Sequence, residues 1–132
     1  MAKYEIPTGK RGFAITFPEF WKLYLDAHRK PSTRIVHYLA TFVGAGATSA
    51  AIWLGEVLLC PLGIVSAYVM AIASHRFIEH NSPLIQVNAL WGAISDLRML
   101  WLAATGGLAA EYRRLGLVPI DTAPATRPLN IR

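Results

Sequence analysis

The sequence predicts an all-α fold: a small polytopic helical membrane protein with an interfacial amphipathic helix, a transmembrane helical hairpin and one or two further membrane helices. Three observations predict it. Of 132 residues, 54% are apolar and only 16% charged, against about 45–50% and about 25% in a soluble domain. Seven of the thirteen Lys and Arg residues precede His37, and from Tyr38 to Ser74 the only formal charge is Glu56. That gap exceeds the ~20 residues one span needs, and Glu56, Pro61 and Gly63 punctuate it midway as turn and restart signals.

The same counts remove whole classes. Disorder requires low hydrophobicity and many charges. The lone Cys60 cannot build a disulfide scaffold or a four-cysteine zinc ribbon. Neither a nucleophile elbow nor a phosphate loop is present, and four histidines are too few for the repeated histidine boxes of membrane di-iron desaturases. Residues 1–20 lack the continuous apolar run of a signal peptide.

Residues 1–16 read as a polar lead-in, 17–116 as a single helical membrane domain and 117–132 as a loosely ordered, proline-bearing tail. The first helix opens at Pro18, and Phe17, Phe20, Trp21, Tyr24, Leu25 and His28 repeat along one of its faces. Such an aromatic, amphipathic helix with basic neighbours suits a membrane interface. Pro31 ends it, and Ser32 or Thr33 is the expected cap of the next helix. Two antiparallel spans follow, Val36–Leu54 and Val57–Ala73. Small residues from Gly44 to Ala51 permit close helix approach in lipid. Pro83 opens another helical stretch, Leu84–Ala110, which is one full span or two shorter segments. There Asn88, Gly92, Ser95, Asp96, Met99 and Ala103 form a small or polar stripe, so Asp96 should point inward.

Arg29, Lys30 and Arg34 flank the first span, whereas the Glu56 turn holds no basic residue. The positive-inside rule therefore puts the N-terminus and the 74–83 loop in the cytoplasm. Arg113 and Arg114 put the C-terminus there too. The expected location is a bacterial inner membrane, or the endoplasmic reticulum in a eukaryote. The basic N-terminal region touches anionic lipid rather than nucleic acid.

The hairpin has a chemical consequence. His37 enters the first span and His75 leaves the second, so both lie at one membrane face, and His28 approaches that face across the Pro31 turn. His75 and Glu79 share a face if that segment is helical, His80 points away from them, and Asp96 could reach in from the last apolar stretch. Imidazoles with a carboxylate and open positions are the ligand set of non-haem Fe(II) oxygen chemistry. The residues alone leave three readings open: an iron oxygenase, a non-catalytic lipid-binding or assembly factor with interfacial histidines, and haem held between two histidines.

The blocks Phe17-Pro18-Glu19-Phe20-Trp21 through Tyr24, His28, Pro31, Arg34 and His37, then Ser74-His75, Glu79, Asn81 and Pro83, then Trp91, Asp96 and Met99 resemble a known family. It is the family of small membrane dioxygenases that shorten 2-hydroxy fatty acids, first recognised through phytosphingosine breakdown. The resemblance runs from Phe17 to Gly116. It implies an Fe(II) enzyme that uses O2 to cleave between C1 and C2 of a 2-hydroxy fatty acid, leaving an acid one carbon shorter. Carried over by position, His28, His37 and His75 match the family histidines, with Glu79, Asn81 and Asp96 as accompanying polar positions. The acyl tail would run between the spans or along the Phe20/Trp21/Tyr24 face. Arg34, beside the expected iron site, is the candidate for holding the substrate carboxylate.

Overall fold

Five α-helices follow one another in the computed structural model, which describes residues 15–118. They are α1 (Phe17–Asp26), α2 (Pro31–Leu54), α3 (Leu59–Ser74), α4 (Ala89–Ala104) and α5 (Leu108–Arg114). A π-helical turn, His75–Glu79, continues α3, and a 3-10 turn, Leu84–Gln86, precedes α4. Residues 1–14 and 119–132, most of the expected lead-in and tail, lie outside the described residues.

The start of α1 is fixed locally. Pro18 occupies its first turn, where a missing N–H costs nothing, and the Glu19 carboxylate accepts the Thr16 backbone N–H at 2.7 Å. Its aromatic face is the face that buries: Phe20, Trp21, Tyr24 and Leu25 are each at most 2% exposed, and Lys22 and Glu19 are exposed. Against this face pack Leu84, Met99, Tyr112 and Leu117, with Trp91 and Leu102 partly buried on the same cluster. Leu117 thus belongs to the core rather than to a loose tail. The burial of Trp91 and Leu102 also widens the inward face of α4 beyond the polar stripe.

The α2–α3 pair is the hairpin. Pro31 begins α2 rather than merely ending α1, and the cap is Lys30 instead of Ser32 or Thr33. Proline's fixed φ and absent donor make it a better first helical residue than a terminator of the preceding turn. Gly55 closes α2 with φ 70°, a left-handed conformation that costs glycine little. The two arms pack tightly through small residues. A Cβ added at Gly63 would lie 2.2 Å from the Ala47 Cβ, a separation no pair of carbons tolerates.

Two helical segments, Pro31–Leu54 and Leu59–Glu79, are long and apolar enough to cross a membrane. At ~1.5 Å per residue, their 24 and 21 residues each match a ~30 Å hydrocarbon core. The long stretch 84–110 resolves into the shorter alternative, because α4 has only 16 residues and α5 has 7.

Candidate metal centre

Three histidines from three elements meet at one end of the hairpin. His28 lies one turn beyond Tyr24, just past α1; His37 stands in the second turn of α2; His75 opens the π turn after α3. They are 1%, 3% and 2% exposed. Their ring centroids are 4.3 Å (28–37), 4.6 Å (28–75) and 5.1 Å (37–75) apart. One ligand atom from each lies within 4.8 Å of the others, and the group can hold a metal ion.

Each ring is oriented through its Nδ1. His28 Nδ1–H donates to the Tyr24 carbonyl. His37 Nδ1–H donates to Asp96 Oδ1 at 2.6 Å. His75 Nδ1–H donates to Asn81 Oδ1 at 2.8 Å. The amide orientation of Asn81 is fixed because its Nδ2 donates to the Ala27 carbonyl at 3.1 Å, and a carbonyl only accepts. With all three Nδ1 atoms donating, each Nε2 keeps its lone pair. His28 Nε2 and His37 Nε2 then face each other at 3.1 Å. Two lone pairs so close repel unless a proton or a cation lies between them. Two nitrogens each ~2.1 Å from one ion, at about a right angle, stand about 3.0 Å apart. The donor set fits a metal.

Burial pushes the His28 imidazole well below its ordinary pKa, and the neighbouring His37 and His75 push the same way. It is therefore neutral, as a ligand must be.

The π turn explains how Asn81 reaches His75. His80 adopts φ 59°, and both its N–H and that of Asn81 return to the His75 carbonyl, the latter at 3.1 Å. The chain thereby folds back on the histidine that ends α3. His80 itself is exposed, away from the cluster.

The other expected site residues take different places. Glu79 Oε1 accepts the Lys30 backbone N–H at 2.7 Å, so its carboxylate caps the start of α2 and lies outside the histidine group. The i, i+4 spacing that would have set Glu79 beside His75 belongs to an α-helix, and this turn is a π turn. Asp96 points inward as expected, but it stands behind His37 and accepts the Tyr24 hydroxyl as well. Tyr24 stacks on His28, with centroids 4.1 Å apart, and its hydroxyl is used by Asp96. Arg34 is buried, and its Nη1 donates to the carbonyls of Arg29 (2.7 Å) and His28 (3.2 Å). Those carbonyls lie in the turn between α1 and α2 and have no helical partners, so the guanidinium is drawn to the turn rather than to the cavity beside the histidines.

Two contributors escaped the sequence reading. The Tyr112 hydroxyl donates to the His28 carbonyl at 2.6 Å, with the Leu25 carbonyl at 3.1 Å. Glu111 accepts from Trp21 Nε1 (2.7 Å), Arg98 and Arg114, and Arg98 also covers the Trp21 ring at 4.5 Å. A Glu-Tyr pair in a short amphipathic helix carries no sequence signal for such a role.

A cavity of about 40 Å³ borders all three histidines, lined also by Tyr24, Tyr68, Leu84 and Asp96. The model of the 2-hydroxy-palmitic acid dioxygenase Mpo1-like family matches residues 14–108. The chain belongs to that family. The stretch matching the Mpo1-like model holds His28, His37, His75, Asn81 and Asp96, and stops short of Glu111 and Tyr112. No curated protein and no solved structure matches the chain.

Proposed function

We propose that this protein is an integral membrane dioxygenase that holds Fe(II) on His28, His37 and His75 and converts a 2-hydroxy fatty acid into the acid one carbon shorter. The observation that carries the reading is the set of three buried imidazoles, each with Nδ1 donating and Nε2 turned inward. The family name agrees with the substrate and with O2 as co-substrate. Residues 17–116 form the working unit, with the α2–α3 hairpin crossing the bilayer and the histidine end on the cytoplasmic side.

Iron(II) bound there would offer open positions at which O2 and the oxygens of a 2-hydroxy acid can meet. The reaction balances without an external reductant: hydroxy acid plus O2 gives the shorter acid, carbon dioxide and water. The bond between C1 and C2 breaks, C2 is oxidised to a carboxyl and C1 leaves as carbon dioxide. The protein's own groups orient and exclude. Asp96, Asn81 and the Tyr24 carbonyl fix the imidazole tautomers. Arg34 and Tyr112 hold the His28 carbonyl, Glu79 anchors the α2 start beside it, and Tyr24 and Leu84 keep bulk water from the cavity. Three neutral ligands leave the ion's charge for an anionic substrate head group, so Asp96 works best as a partner of His37.

Haem between two of these histidines is disfavoured, because the cavity that borders all three is about 40 Å³, too small for a porphyrin ring. The test is metal analysis of detergent-purified protein, then mass spectrometry of products from 2-hydroxypalmitate under air. One iron per chain and a C15 acid are expected. Absence of stoichiometric metal, with intact folding, overturns the reading in favour of a non-catalytic membrane factor.

A further inference from the structure

We propose that the open groove walled by α2, α3 and α4 binds the acyl chain of the molecule whose head group sits at the three histidines. This rests on the reading of the protein as a 2-hydroxy fatty acid dioxygenase.

The groove has a volume of about 210 Å³ and is lined by small side chains, among them Ala40, Gly44, Ala67, Ala71 and Ala93. Tyr68, Ala71 and Asp96 line both this groove and the cavity beside the histidines. The two spaces therefore abut, and a molecule with a polar end and a long apolar end can occupy both. Tyr68 Oη donates to the Ala89 carbonyl at 3.1 Å, which ties α3 to the first turn of α4 and holds the wall in place.

The positions of the lining residues give a direction and a length. On α2 they run from Ala40 to Ala45, and on α3 from Ala71 back to Ile64. At ~1.5 Å per residue these reach about 12 Å beyond His37 and about 16 Å beyond His75, roughly half of a ~30 Å hydrocarbon core. The lining ends there, at Ala45 on α2 and Ile64 on α3, and a longer chain runs on into lipid. The groove thus governs the carbons nearest the head group and leaves the methyl end to the bilayer. Lipid solvates methylenes as well as alanine does, so the groove supplies orientation rather than affinity.

The experiment uses the full-length, metal-loaded protein in detergent and a 2-hydroxy fatty acid carrying a diazirine in the first half of its chain. On irradiation, label located residue by residue is expected at Thr41, Gly44, Ile64, Ala67, Tyr68 and Ala93, and excess 2-hydroxypalmitate but not hexadecane should remove it. Ala93→Phe should cut the labelling roughly tenfold by filling the groove, keep the metal content, and shift turnover toward shorter 2-hydroxy acids. Ala67→Leu is the second variant, should the first fail to fold. Val69→Phe, on the outer side of α3, should leave the labelling as it is. Label spread over Val65 and Val69, or equal effects of Ala93→Phe and Val69→Phe, overturns the groove. Product formed without groove labelling sinks the groove and leaves the dioxygenase reading standing. Groove labelling competed equally by palmitate, with no shortened product, does the reverse.

Discussion

The two ends of the hairpin are built from opposite materials. At the histidine end, large aromatic side chains from α1, α4 and α5 enclose the site, and Asp96 and Asn81, which hold two of the imidazoles, are themselves held by Tyr24 and the Ala27 carbonyl. At the Gly55 end, small residues bring α2 and α3 together, and Ile52, Trp53, Val57 and Leu58 are 76–88% exposed. In water such a surface would invite association; in lipid it is the expected outer face. One end is held by burial and hydrogen bonds, the other by fit between backbones, which is what a hairpin in lipid would need, since lipid supplies no hydrophobic force between helices.

The contrast can be broken, beginning with the largest effect. His75→Ala should abolish both stoichiometric metal and turnover, since two imidazoles cannot hold the ion against water; metal analysis beside product assay reads this. Val69→Arg, on an exposed mid-helix position of α3, should cost ~2.5–3.5 kcal/mol of membrane insertion. A value near zero in an insertion assay would mean that this face meets water. Asp96→Asn and Asn81→Ala, which disturb the partners of His37 and His75, should each weaken metal affinity about 10–100-fold while the chain still inserts; competitive chelator titration measures it. Gly63→Leu should lower stability by ~1–3 kcal/mol, seen as an earlier thermal transition in detergent, with the metal retained below that transition.

The smallest effect belongs to acid. The Arg114 guanidinium, helped by Trp21 N–H and Arg98 against the opposing effect of burial, holds Glu111 down to about 2. A depressed carboxylate stabilises the fold above its unfolded pKa of ~4.3. That contribution is lost as pH falls from there toward about 2. Thermal midpoints should therefore drop across this window in the native chain, and Glu111→Gln should flatten the drop.

The sequence was most readable where periodicity and solvent agree. The buried face of α1, the hairpin and its small-residue seam, and the meeting of His28, His37 and His75 all follow from spacing, length and antiparallel return. Residues that answer to a backbone group were hidden. Glu79 looked like a ligand because it sits four residues after a histidine, yet a π turn redirects it to the Lys30 N–H. Arg34 looked like a substrate anchor because it lies near the site, yet the His28 and Arg29 carbonyls in the turn after α1 claim it. Tyr112 reaches the His28 carbonyl from 84 residues away, and no local pattern encodes that pairing.

That last contact also dictates an order of assembly. The carbonyl of His28 is held by a residue near the end of the described chain, so the pocket has all its walls only after the hairpin has been made and α5 has docked. On the proposed reading, metal loading therefore comes late, after the hairpin has formed and α5 has docked on it. On the same reading, a truncation just before α5 would yield a chain that inserts but fails to take up metal.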